Sequence, residues 1–148
     1  MKTFITILCS LLLLVEAGVC AQTNGFTSHL QTRQGSYTWQ ISPDQFHGTP
    51  EWASDAQPIP LSLDKACQLG RGWLEKHGMT GFSLEEAKLW RYPNAISIYI
   101  AHGKTERRFY YQLTYRSESP DMDLMYVYVL LDGSIVEPTL TPTPDKKP

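Results

Sequence analysis

The 148-residue sequence has little of what marks a membrane protein or a disulfide-linked protein. Beyond an apolar run at its N-terminus, no segment approaches the roughly 20 apolar residues that a membrane-spanning helix needs. Two of the three cysteines, Cys9 and Cys20, lie in that N-terminal stretch, so Cys67 has no disulfide partner in the rest of the chain. The fold must therefore be held by a hydrophobic core rather than by cross-links.

The sequence also lacks an excess of charge of either sign, with 13 lysines and arginines against 15 aspartates and glutamates. This balance excludes the extended basic surface that binding to nucleic acid or to an anionic membrane requires. The stretch from Lys104 to Arg108 is locally basic, and we interpret it as the solvated end of a hairpin. No nucleic-acid partner is expected.

Common catalytic and metal-binding motifs are scarce as well. No Cys-x-x-Cys, Gly-rich phosphate loop or Gly-x-Ser-x-Gly sequence occurs. Glu85 and Glu86 are adjacent, but neighbours in a strand face opposite sides and cannot share a substrate. The histidines are too widely spaced to suggest a metal site; they are His29, His47, His77 and His102. We therefore predict no catalytic residue, metal or cofactor.

The N-terminus has the three parts of a bacterial-type secretory signal peptide. A positive start is followed by an apolar run over residues 4–15, and Val19 and Ala21 provide the small residues before a cleavage site. We expect residues 1–21 to be removed by cleavage after Ala21, which would leave a soluble protein in the periplasm or the medium. The alternative is a lipoprotein anchored through Cys20, whose neighbours fit lipidation less well.

Residues 22–60 are rich in Gln, Thr, Ser, Gly and Pro, so we expect an irregular N-terminal segment. Within it, the alternation of Tyr37, Trp39 and Ile41 predicts a short strand. Later aromatic residues are expected to anchor the segment to the main body. These anchors are Phe46 and Trp52.

The clearest helix begins after Ser62, which is a good N-cap, and ends at Gly78, which suits a left-handed C-terminal position. One face carries the residues predicted to be buried. They are Leu63, Ala66, Cys67, Gly70 and Leu74. Gly70 should let this helix approach a sheet closely. Cys67 is predicted to be a slowly reacting core thiol rather than a nucleophile.

Strands should follow the helix. Residues 84–92 are ambiguous, because Ser83 and Glu86 have the spacing of a helical capping box, but the aromatic residues there favour a strand. Alternating or continuous apolar residues, separated by turns, predict the remaining strands. These cover residues 95–101, 107–116, 124–131 and 135–136. The Thr-, Pro- and Lys-rich tail over residues 139–148 should be disordered.

These elements predict a two-layer α+β domain over residues 61–138, with one N-terminal helix packed on a three- to four-stranded antiparallel meander sheet. The helix start Ser62-Leu63-Asp64-Lys65-Ala66 resembles one end of a PepSY-type domain. The strand Tyr126-Val127-Tyr128-Val129, leading through Asp132-Gly133 to Ile135-Val136, resembles its other end.

The resemblance covers about residues 60–138. The layout is also similar to that of cystatins, although their inhibitory Gln-x-Val-x-Gly loop is not present. A PepSY-like domain implies an exported bacterial protein that binds rather than catalyses, in a peptidase-inhibiting or chaperone-like role.

Two classes of function therefore remain: a binding or interaction domain, and an enzyme whose site is assembled from scattered residues. A cleft of converging titratable groups would favour the enzyme, and a broad aromatic face would favour binding. The strand at 124–131 is apolar on both faces, so one face needs a cover. We expect that cover to be residues 22–58, a protein or peptide partner, or a second copy docked through the sheet face.

Overall fold

The computed structural model describes residues 25–53, 57–92, 107–118 and 124–143. Within these ranges no helix is both long and apolar enough to cross a membrane. In chain order the elements are β1 (Phe26–Gln31), β2 (Gly35–Ile41), α1 (Pro43–His47), α2 (Leu63–Lys76), β3 (Phe82–Tyr92), β4 (Arg108–Ser117), β5 (Leu124–Leu130), β6 (Ile135–Val136) and β7 (Thr139–Pro142).

The strands form two antiparallel sheets. The first sheet has the order β1-β2-β7 and the second the order β3-β4-β5-β6. The expected α+β class is confirmed, but the expected single sheet is wrong. The main helix, α2, is also not N-terminal, because β1, β2 and α1 precede it in the chain.

The N-terminal segment is a β-hairpin followed by a short helix, which corrects the expectation of an irregular segment over residues 22–60. In β1 the residues Phe26, Ser28 and Leu30 are half-buried while the residues between them are exposed. Burial that alternates with a period of two is typical of a β-strand, even though the amino-acid composition of this segment is typical of a loop. The predicted strand around Trp39 is confirmed as β2.

The tail is likewise more ordered than expected. Residues Thr139–Pro142 form β7, which pairs with β2 so that Leu140 lies opposite Tyr37. All four residues are exposed, so this strand is held by backbone pairing rather than by an apolar face. Residues 144–148 lie outside the described residues.

Helix α2 is capped as predicted. Ser62 Oγ accepts a hydrogen bond from the Lys65 backbone N–H at 3.3 Å, and Gly78 has a φ of +68°. The buried face is Ala66, Gly70, Trp73 and Leu74. Two expectations fail: Leu63 is 46% exposed and Cys67 is only half-buried. The buried face is thus rotated towards Trp73, whose side chain is almost fully buried.

The second sheet contains the strands predicted after the helix. Residues 84–92 belong to β3, so the strand interpretation is confirmed and the capping-box alternative is wrong. β4, β5 and β6 match the other predicted strands within a residue or so. The predicted strand at 95–101 and the turn after it lie outside the described residues.

The first sheet and α1 cover the face of the second sheet opposite α2. Trp39 and Phe46 are fully buried there, and the ring of Trp39 lies 5.6 Å from that of Tyr128. Phe46 stacks on Tyr92 with 3.7 Å between ring centroids. The predicted N-terminal cover is therefore confirmed. The first sheet therefore occupies the part of this face around Tyr128.

The segment after α1 is anchored to the start of β4. The Trp52 backbone N–H donates to the Arg107 carbonyl at 2.9 Å, and its ring lies edge-on to Phe109 at 5.2 Å. Arg108 donates from Nη1 to the Thr49 carbonyl, and its side chain is only 14% exposed. The solvated hairpin end expected here is thus wrong for Arg108, while residues 104–106 lie outside the described residues.

Candidate binding surface

Strand β3 is an outermost strand of the second sheet in the described part of the chain. Helix α2 packs on β4, β5 and β6, and the first sheet contacts β6 through β2. A helix is about 10 Å across, whereas four strands spaced about 4.8 Å apart span about 14 Å between the outer two. One helix cannot cover all four strands, so β3 extends beyond α2, and on the other face Phe46 of α1 covers only Tyr92 at the end of this strand.

The exposed apolar side chains collect on this strand. Leu84 and Leu89 are each 38% exposed, and Trp90 is 39% exposed. Only two other large hydrophobic side chains of the described residues are exposed, Leu63 and Leu140. Exposed apolar side chains grouped on one element mark interaction surfaces more often than scattered ones do. We use the name β3 edge for Leu84, Glu86, Ala87, Lys88, Leu89 and Trp90 together with their backbone.

A β-bulge brings the two exposed leucines to one side of β3. The strand advances two residues, from Leu84 to Glu86, while β4 advances one, from Tyr115 to Thr114. In a regular strand Leu84 and Leu89, five residues apart, would face opposite sides. With the bulge, both lie on the side that faces the α2 layer. Sequence spacing misses this arrangement, since it carries no local signal for the extra residue.

The other side of β3 carries polar and aromatic side chains in fixed contacts. Lys88 Nζ lies 2.8 Å from Glu86 Oε2, and both side chains are half exposed. Trp90 Nε1 donates to Gln112 Oε1 at 2.8 Å, which holds the exposed indole against the sheet. Glu85 accepts instead from Arg116 at 2.8 Å. The two adjacent glutamates are thus in separate ion pairs.

Cys67 lies on the flank of α2 above β4. Tyr115 Oη donates to the Cys67 carbonyl oxygen at 3.4 Å, and Tyr111 Oη donates to the Leu61 carbonyl at 3.0 Å. Burial, with a smaller effect of the Asp64 carboxylate, raises the pKa of the Cys67 thiol above its usual value. A protonated thiol is a poor nucleophile, which supports slow reaction even though Cys67 is only half-buried.

Three of the four histidines lie in the described residues. His29 contacts Thr38 Oγ1 at 3.0 Å. His77 Nδ1 lies 2.8 Å from the Trp73 carbonyl, and its Nε2 lies 3.7 Å from Glu137 Oε2. Trp73 Nε1 donates to the same carboxylate at 2.8 Å. Sequence reasoning missed this cluster of Trp73, His77 and Glu137, because Glu137 is far from the other two in the chain.

No group of three or more His, Cys, Asp or Glu side chains in the described ranges is placed to hold a metal ion. His47 is on α1, and His102 lies outside those ranges.

Ser62 and Lys65 have the Ser-x-x-Lys spacing of some acyl-transfer enzymes, a match that sequence reasoning overlooked. In the structure, the Ser62 hydroxyl oxygen accepts from the Lys65 backbone N–H, and both side chains are exposed. This is the geometry of a helix cap. The motif is thus accounted for by the start of α2.

Comparison with known proteins gives no assignment: the chain matches no family model, no curated protein and no solved structure.

Proposed function

We propose that this protein is an exported, non-catalytic binding domain, similar in layout to PepSY-type domains, that takes up an extended protein segment along the β3 edge. The observation that carries the proposal is an 11-residue strand, outermost among the described strands of its sheet, that bears three exposed large hydrophobic side chains. No other element of the described chain bears more than one.

Strand addition suits this surface for two reasons. An outermost strand offers backbone N–H and C=O groups that an extended segment can pair with, which supplies affinity. The exposed side chains on either side of the backbone can then select the segment. On one side these are the two leucines, and on the other is Trp90, held by Gln112.

Export is part of the same proposal and rests on the leader-like N-terminus. N-terminal sequencing of protein recovered outside the cytoplasm should begin at Gln22. If the mature chain instead begins at a lipid-modified Cys20, the protein is anchored to a membrane and the proposal of a soluble protein is wrong.

Site-specific photo-cross-linking tests the binding surface. Benzoylphenylalanine is introduced in place of Leu89 or Trp90 in cells that export the protein, with Glu75, exposed on α2, as the matched control position. We expect a discrete cross-linked protein product from positions 89 and 90 and none from position 75. If the two β3 positions give no product, or no more than position 75, the proposal is wrong.

A further inference from the structure

We propose that the segment taken up by the β3 edge is β3 of a second copy of this chain, paired antiparallel about a two-fold axis at Ala87. This inference rests on the proposed function, since it names the occupant of that surface. Such pairing would join the two second sheets into one continuous eight-stranded sheet, with both α2 helices on the same side.

The charges of β3 fit this register. About an axis at Ala87, Glu86 of each copy lies directly opposite Lys88 of the other. Both side chains are on the same side of the sheet and are half exposed, and pairing would exchange the ion pair that they form within one strand for ion pairs across the two strands. Opposite charges in directly facing positions stabilise an antiparallel pair. The axis therefore produces two such pairs by symmetry.

The apolar side chains fit the same register because of the bulge. Counted in ladder steps from Ala87, Leu89 is two steps to one side and Leu84 is two steps to the other. Leu84 of each copy thus lies opposite Leu89 of the second copy. Both are 38% exposed on the side facing the α2 layer. Pairing would bring the four leucines into contact in two pairs and reduce their exposure to water.

The same charges argue against an arbitrary strand as the occupant. A lysine and a glutamate in the middle of an outermost strand are a device that discourages pairing with unrelated edges. A strand without an acidic and a basic residue at the facing positions would leave one or both charges without an opposite charge. A second β3 places an opposite charge across from both Glu86 and Lys88, so the β3 edge favours pairing with a second copy of itself.

Charge reversal tests the register. In Lys88→Glu, the two paired β3 strands would bring four carboxylates to the facing positions, and in Glu86→Lys they would bring four ammonium groups there. Light scattering of the full chain over a range of concentrations should show a dimer, and each variant should dimerise at least about tenfold more weakly. An equimolar mixture of the two variants restores both opposite-charge pairs, so it should form a heterodimer.

Glu75→Lys, an equal charge change on exposed α2, is the matched control and should dimerise like the native chain. Circular dichroism checks that each variant is folded. The inference is wrong if the native chain stays monomeric, if the single variants dimerise as well as it does, or if mixing restores nothing. A monomer that still forms a Leu89 cross-link to another protein rejects self-pairing and retains the proposed function. A monomer without that cross-link rejects both.

Discussion

Tyr128 donates a hydrogen bond from its Oη to Ser28 Oγ at 2.8 Å, joining residues 100 positions apart in the chain. Tyr128 is on β5 of the second sheet and Ser28 is on β1 of the first. The Tyr128 ring is almost fully buried, and it lies 5.3 Å from the ring of Phe26. This contact fixes where the N-terminal hairpin sits on the second sheet.

Removing this hydrogen bond should weaken the fold modestly. Tyr128→Phe keeps the buried ring, so we expect a loss of about 1 kcal/mol in the free energy of unfolding, measured with urea. Ser28→Ala should cost a similar amount. The double variant should cost less than the sum of the two, because the second change has no bond left to remove. Fully additive effects would show that the bond does not form in solution.

The two tryptophans Trp39 and Trp90 should differ sharply in their effect on stability. Trp39 is fully buried between the sheets, so Trp39→Ala should cost about 3–5 kcal/mol. Trp90 is 39% exposed, so Trp90→Ala should cost less than about 1 kcal/mol. Deletion of residues 22–58 should go further and expose the aromatic face to a hydrophobic dye. Equal costs for the two substitutions would contradict the position of the first sheet as a cover.

Gly70 and Gly72 form a matched pair within α2. A Cβ at position 70 would lie 2.5 Å from Leu113 Cδ1 and 2.7 Å from Tyr115 Oη, whereas one at position 72 meets nothing within 4 Å. Gly72→Ala should therefore stabilise the protein by up to about 1 kcal/mol through helix propensity. Gly70→Ala gains the same propensity but overpacks the core by about 1–3 kcal/mol. The midpoint temperature of thermal unfolding should be higher for Gly72→Ala than for the native chain, and lower for Gly70→Ala.

Stability should fall in alkaline solution. Burial raises the pKa of Tyr115 from 10.0 to about 12, and burial also raises the pKa of Tyr37, Tyr111 and Tyr128. Between these values the folded chain keeps phenolic protons that the unfolded chain releases, so the free energy of unfolding decreases as pH rises above about 10. Phenolate absorbance of these residues should appear together with loss of near-ultraviolet dichroism. Ionisation of all tyrosines near pH 10 in an intact fold would contradict their burial.

Local sequence patterns predicted those elements that are marked by capping residues or by runs of apolar residues. The cap at Ser62, the end at Gly78 and the apolar strand β5 each have a signal within a few residues. The role of Gly70 was also predictable, because a glycine on the buried face of a helix lowers helix propensity and is favoured there when a neighbouring element must pack closely.

Apart from β2, the sequence did not predict the strands of the first sheet. β7 is exposed throughout, so it lacks the apolar alternation that identifies a strand. β1 shows alternation only through Phe26, Ser28 and Leu30, where a serine takes a half-buried place because Tyr128 binds it. The β3 edge was hidden for another reason: the bulge after Leu84 changes which side chains share a face, and bulges leave no reliable pattern.

Hydrogen exchange of the β3 backbone tests the central claim most directly, because strand pairing acts on the amide groups themselves. In the full chain at high concentration, alternate amides between Leu84 and Trp90 that point away from β4 should exchange at least about tenfold more slowly than in dilute solution. The outer amides of β7, at the edge of the first sheet, should not change. If the outward amides of β3 exchange equally fast at every concentration, the β3 edge does not pair with a second copy, and our account of this surface as a self-pairing strand is contradicted.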